Sequence, residues 1–229
     1  MANHLDLEEQ EQLDQLKHFW NTWGTLISSV LIVVAGSLLA WNGYQYWQNR
    51  QAAQAAALLD AVEVAARAGD QARVTQAFSD LKAKFAGTTQ TAQAGLALAK
   101  MSADAGNLDA AKEALAWVAE HARDDGLRAV GRLRLASVLM DQKNYDEALK
   151  QLSSNVSVEF EALFADRRGD IYVLQDKRAD AISEYSKAYK AFEEGLEYRR
   201  LVEIKLGALG VAPQSVAVAS ASASAEVAK

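Results

Sequence analysis

Two hydrophobic patterns divide the chain. Residues 19–49 contain no Asp, Glu, Lys, Arg or His, and residues 25–40 are strongly apolar. After Arg50 the apolar residues return at spacings of three and four with charges between them, and sustained apolar/polar alternation is missing. The first pattern predicts a helix in lipid and the second a series of amphipathic helices. The single proline, Pro213, lies near the C-terminus, so nothing breaks the body of the chain. The expected fold class is all-α.

Aromatic residues mark both ends of the apolar segment: Phe19, Trp20 and Trp23 before it, and Trp41, Tyr44, Tyr46 and Trp47 after it. Rings with an apolar body and a polar edge favour the membrane interface. Trp20 and Trp41 are 21 positions apart. At 1.5 Å per residue that is roughly 31 Å of helix, enough for one crossing of a lipid bilayer. A cleavable signal peptide would begin with a basic region and carry a shorter core. Here Asp6, Glu8, Glu9, Glu11 and Asp14 oppose Lys17, and no clean cleavage site follows. The segment reads as an uncleaved anchor. Lys17 on one side balances Arg50 on the other, so charge counting leaves the orientation open. Ser29 and Gly36 fall on one helical face as a candidate contact for another membrane helix, or as ordinary span composition.

Beyond the anchor the chain repeats. Polar turns at Gly69-Asp70, Gly106-Asn107 and Lys143-Asn144 are 37 residues apart, and a fourth at Asp176-Lys177 follows at a slightly shorter interval. Periods near 34 with two helices per unit are the tetratricopeptide signature. The internal spacing agrees: Ala99 to Ala111, Ala136 to Ala148 and Gly169 to Ala181 are each 12 residues. These small residues are expected where paired helices cross closely. The first unit, with Val62, Val74, Phe78 and Leu81, reads as more degenerate. Trp117, Tyr145, Tyr172 and Tyr185 are expected to pack between hairpins. Residues 198–209 are expected to cap the stack, turning Leu201, Ile204 and Leu209 toward the last hairpin and the charges outward. The division predicted is a short acidic tail over 1–22, a transmembrane helix over 23–47, a tetratricopeptide-like α-solenoid of about four hairpins over 48–209, and a disordered Ala/Ser-rich tail over 210–229.

Charge and chemistry narrow the function. The net charge of −6 argues against nucleic acid, which needs a basic face. Cysteine is absent, which removes disulfides, zinc–thiolate sites and thiol nucleophiles. His4, His18 and His121 have no metal-ligand spacing, and no phosphate-binding loop occurs. His121 reads as a helix C-terminal residue, Asp124-Asp125 as a helix start, and Arg167-Arg168 and Arg199-Arg200 as surface ion-pair partners. No enzyme and no cofactor is expected. Threading the repeat pattern places Gln93, Lys100, Ser137, Asp166 and Asp170 on the inner wall of the solenoid, as candidate contacts for an extended peptide or a partner helix.

The entry Lys17-His18-Phe19-Trp20-Asn21-Thr22-Trp23-Gly24, the exit Gly43-Tyr44-Gln45-Tyr46-Trp47-Gln48 and the hairpins that follow resemble the YfgM family of bacterial proteins over residues 1 to about 210. The resemblance implies an ancillary subunit of the SecYEG translocon. It would lie in the bacterial inner membrane with its N-terminus in the cytoplasm and its repeats in the periplasm. It would associate with the translocon and the periplasmic chaperone PpiD and help hand over exported client proteins. An adaptor in another envelope system, with partners for both its tail and its repeats, is the alternative.

Overall fold

The structure, a computed structural model, describes residues 7–153 and 156–211. The Ala/Ser-rich tail beyond Val211 and the first six residues of the acidic tail lie outside the described residues. All regular structure described is helical: α1 (Leu7–Arg67), α2 (Gln71–Phe85), α3 (Thr89–Asp104), α4 (Leu108–His121), α5 (Asp125–Asp141), α6 (Tyr145–Leu152), α7 (Val158–Leu174), α8 (Arg178–Ala191) and α9 (Glu197–Ala208). Two compact units divide inside α1, after Gln51.

Among its described residues the first unit is one uninterrupted helix, so residues 7–22 of the expected acidic tail are already helical. Its polar side chains turn back on their own backbone. Thr22 donates to the His18 carbonyl, Ser29 to that of Thr25, Ser37 to that of Val33 and Asn42 to that of Leu38. A hydroxyl satisfied in this way does not need water, which is what a hydrocarbon surrounding requires. Ile32 is 71% and Leu39 74% exposed. This helix is long and apolar enough to cross a membrane.

The second unit stacks A helices (residues 52–67 of α1, then α3, α5 and α7) against B helices (α2, α4, α6 and α8). Each A-to-B turn is the same Schellman motif. Gly69, Gly106, Lys143 and Asp176 have positive φ values of 72°, 77°, 60° and 57°. In each turn the next residue's N–H reaches five residues back: Asp70 to Ala65, Asn107 to Ser102, Asn144 to Leu139 and Lys177 to Tyr172. These bonds satisfy carbonyls that a helix end would otherwise leave open. Asp70 and Asn107 then cap the following helix, each accepting a backbone N–H three residues on.

The 12-residue spacing marks the crossings. Ala99, Ala111, Ala136, Ala148 and Ala181 are buried, and a Cβ on Gly169 would meet the Tyr185 ring at 2.5 Å. Val62 and Val74, also 12 apart and both fully buried, hold the same positions in the first hairpin. That repeat is regular, with valine where the others have alanine or glycine. A main core runs from Ala55 through Phe78, Leu115 and Leu139 to Ile171, and a second joins Ala165, Ala181, Tyr185 and Ala188 to Val202 and Leu206 of α9.

The cap differs from expectation. Val202 and Leu206 are fully buried, while Leu201 and Ile204 stay exposed. Leu209 does join the packing. The inward stripe is Tyr198, Val202, Leu206 and Leu209, at steps of three and four. It carries Lys205 inward beside it, so not every charge of the cap faces out. After α9 the chain makes the same turn a fifth time: Gly210 has φ 72°, and the Val211 N–H bonds to the Leu206 carbonyl. α9 therefore holds the place of an A helix, one repeat beyond α7.

Candidate protein-interaction site

The five left-handed turn residues give the stack a common register. Six positions before each lie Glu63, Lys100, Ser137, Asp170 and Ile204; nine positions before each lie Asp60, Ala97, Arg134, Arg167 and Leu201. All ten are exposed or half-buried. They form an accessible row along the A helices, and three of the expected wall residues, Lys100, Ser137 and Asp170, hold positions in it. Lys100 is exposed and pairs with Asp104 at 2.6 Å. Gln93 is exposed and Ser137 half-buried, its hydroxyl donating to the Leu133 carbonyl.

Asp166 has a different place. Only 1% exposed, it accepts Lys205 Nζ at 2.7 and 2.9 Å and the Tyr198 hydroxyl at 3.0 Å. It joins α7 to α9 and presents nothing to a partner. The register that sets it on the wall omits the cap, which covers it. Asp170 keeps partial exposure but is also engaged. Lys205 Nζ and the Tyr185 hydroxyl each donate to it at 2.7 Å, and Arg167 lies 3.6 Å away. Burial, then the Asp166 charge, pushes Tyr198 up to about 12. Burial and the hydrogen bond to Asp170 also raise Tyr185. Both phenols therefore remain donors at neutral pH. Lys205 and Tyr198 were missed because an Asp pair one helical turn apart names no partner; the inward lysine of the cap was the available signal.

A second cluster ties repeats three and four together. Arg168 donates to Glu184 at 2.6 Å, to Glu161 at 2.9 Å and to the Leu152 carbonyl at the end of α6 at 2.9 Å. Burial raises the Glu184 carboxyl, but the bonds from Lys187 and Arg168 outweigh it and hold the group below the usual range. Burial likewise opposes the Arg168 charge, and its two carboxylate partners more than restore it. Arg168 is thus an internal tie. Arg199 lies over the Tyr189 ring at 4.4 Å. His121 ends α4 and stacks on Trp117, and Asp124 caps α5 by accepting the Leu127 N–H. Among the described residues no three His, Asp or Glu are grouped as a metal site would need.

A helix able to span a membrane, followed by a tetratricopeptide-type stack with an accessible A-helix row, defines a class of helical-repeat proteins suited to holding other polypeptides. Residues 17–211 match the family described as a tetratricopeptide repeat-like domain. A Neisseria gonorrhoeae protein named ancillary SecYEG translocon subunit is 35% identical over 213 residues, covering 91% of this chain and 100% of that protein. Proteins of the same name from Haemophilus influenzae and Escherichia coli are 27% and 28% identical, over 81% and 80% of this chain and 90% and 88% of theirs. The chain belongs to this tetratricopeptide repeat-like family, the YfgM family.

Proposed function

We propose that the chain is a non-enzymatic, membrane-anchored interaction subunit of the SecYEG translocon. The observation that carries this reading is the similarity to the Neisseria subunit over all of that protein's length. The apolar helix and the accessible A-helix row support it, because they supply an anchor and a surface for polypeptides. In this reading the N-terminus is cytoplasmic and the repeats are periplasmic, where they assist handover of exported clients with PpiD. Gln93, Lys100, Ser137 and the exposed edge of Asp170 contribute to the partner surface. Ser29 and Gly36 face a membrane helix of the translocon; a Cβ at Gly36 meets nothing within 4 Å, so the face is open to close approach.

The test is affinity purification of the full chain from native membranes in mild detergent. SecYEG should be recovered, and photocrosslinkers at Gln93 and Ser137 should reach periplasmic partners. Replacing residues 25–40 with an unrelated apolar span should lower translocon recovery without abolishing it. Absence of SecYEG from the intact chain's partners would refute the assignment. Protease resistance of the repeats in cells with a permeabilised outer membrane would reverse the orientation.

A further inference from the structure

We propose that the seam between α7 and α9 is a docking groove for a polypeptide segment carrying an acidic residue beside an aliphatic run. The proposal rests on the partner-binding reading above and names the chemistry of one occupant.

The aliphatic half comes from an anomaly in the row. Its first three repeats present mostly charged or polar residues at the two accessible registers, whereas the cap presents Leu201 and Ile204, 43% and 62% exposed. Val173 and Leu174, at the end of α7, are also exposed. The ionic contacts between α7 and α9 set these four on one seam. Asp166 meets Tyr198 and Lys205, and Asp170 meets Lys205, so α7 and α9 lie side by side and run parallel. Val173 and Leu174 sit one turn beyond Asp170; Leu201 sits one turn before Lys205, and Ile204 is its neighbour. The four aliphatic side chains therefore frame the Asp170–Lys205 pair. A terminal repeat ordinarily keeps a polar outer surface for solubility, and exposed aliphatic clusters of this kind mark interaction sites.

The acidic half comes from charge. Arg134 and Arg167 hold the same register on the neighbouring helices α5 and α7, just before Leu201 in the row. Among the described residues Arg134 is exposed and has no ion-pair partner, whereas in the same row Glu63 is paired with Arg67 and Lys100 with Asp104. Arg167 reaches Asp170 only at 3.6 Å, and its buried Nε has no hydrogen-bond partner. Arg134, exposed without an ion-pair partner among the described residues, and Arg167, no nearer than 3.6 Å to the Asp170 carboxylate, thus lead into the aliphatic frame, and a carboxylate is the group they fit. An extended chain that places a Glu or Asp at Arg134 and Arg167 sets its following aliphatic residues over Leu174, Leu201 and Ile204.

The test uses the full chain in nanodiscs and three labelled peptides: paired glutamates ahead of an aliphatic run, paired lysines ahead of the same run, and paired glutamates ahead of serines. The first should bind most tightly. Leu201→Asp with Ile204→Asp should weaken it by about tenfold. Ile204→Ser alone gives a smaller loss and guards against a folding artefact, with the melting curve unchanged in each. Arg134→Glu should weaken the first peptide by about threefold or more while sparing the lysine peptide. Equal affinity for all three peptides overturns the proposal. So does binding that ignores both sets of substitutions. If the aliphatic substitutions instead convert a dimer in detergent to a monomer, the occupant is a second copy and the proposal fails. Loss of SecYEG recovery is a separate readout, so failure of the translocon assignment is distinguishable from failure of the groove.

Discussion

The long apolar helix and the repeat stack use the same secondary structure in opposite ways. In residues 25–40 the large side chains point outward and remain uncovered; in the stack the small ones point inward and are sealed. Gly36 has nothing within 4 Å of where a Cβ would lie, while at Gly169 that atom would strike Tyr185 at 2.5 Å. Position in a helix therefore says little about the cost of a substitution. The surroundings decide it, and substitutions at matched residue types can measure the contrast.

The largest effect is expected where the stack buries charge. Lys205→Met leaves Asp166 buried with only Tyr198 to support it. Removing one member of such a pair costs about 3 kcal/mol. Exchanging the pair for Asp166→Leu with Lys205→Met should recover much of that loss, measured by urea unfolding of the intact chain. The exposed pair Lys17–Asp14 of the membrane unit makes the comparison; such surface pairs contribute about 0–1 kcal/mol.

Gly169→Val should cost about 2 kcal/mol by overpacking the α7–α8 crossing. A melting curve that does not move would show that Tyr185 rotates away freely. Acid should then expose the second ionic tie. The Glu184 pKa is lower in the folded state, so the group adds stability above its ordinary value of 4.5 and loses it as pH falls through the folded value. Glu184→Gln should be less stable at neutral pH, and its acid limb should be shallower than that of the parent. Parallel acid limbs would remove Glu184 from the account.

Most of the fold was legible because it rests on periodicity. An apolar run bounded by aromatics, a repeating turn and a 12-residue spacing each have a local physical cause. The first repeat looked irregular only because valine replaces alanine and glycine at Val62 and Val74. What was not legible depends on two helices at once. The face of α9 was misassigned because Leu201 and Ile204 are as apolar as Val202 and Leu206, and only the neighbouring helices choose between the stripes. Asp166 read as a wall residue because its partner lies 39 residues away. Gln93 and Lys100 are exposed and Ser137 half-buried, as the register of their own repeats allows.

The turns give a smaller effect of opposite sign. Lys143 adopts the left-handed conformation that Gly69 and Gly106 supply without a Cβ. Lys143→Gly should stabilise the stack by about 0.5 kcal/mol, the relief of the left-handed strain being partly offset by glycine's greater freedom in the unfolded chain. Gly106→Ala should destabilise it by about 1 kcal/mol.

The smallest effect on the stack should come from the long apolar helix. Gly36→Val adds an isopropyl group to a face with open space around it. If lipid surrounds that face, the added group displaces no water, and no hydrophobic gain or loss accompanies it. The melting of the repeats should therefore stay within about 0.5 kcal/mol of the parent, the range of a substitution that touches nothing in the fold. Partner recovery is where the residue should matter. If Gly36 admits a neighbouring membrane helix, the valine holds that helix away, and translocon recovery falls while the melting curve stays fixed. Gly36→Ala, which adds one methyl, should lie between parent and valine. An unchanged recovery across the series would mean that the face meets only lipid, leaving the span as an anchor and the accessible row of the stack as the whole of the binding surface.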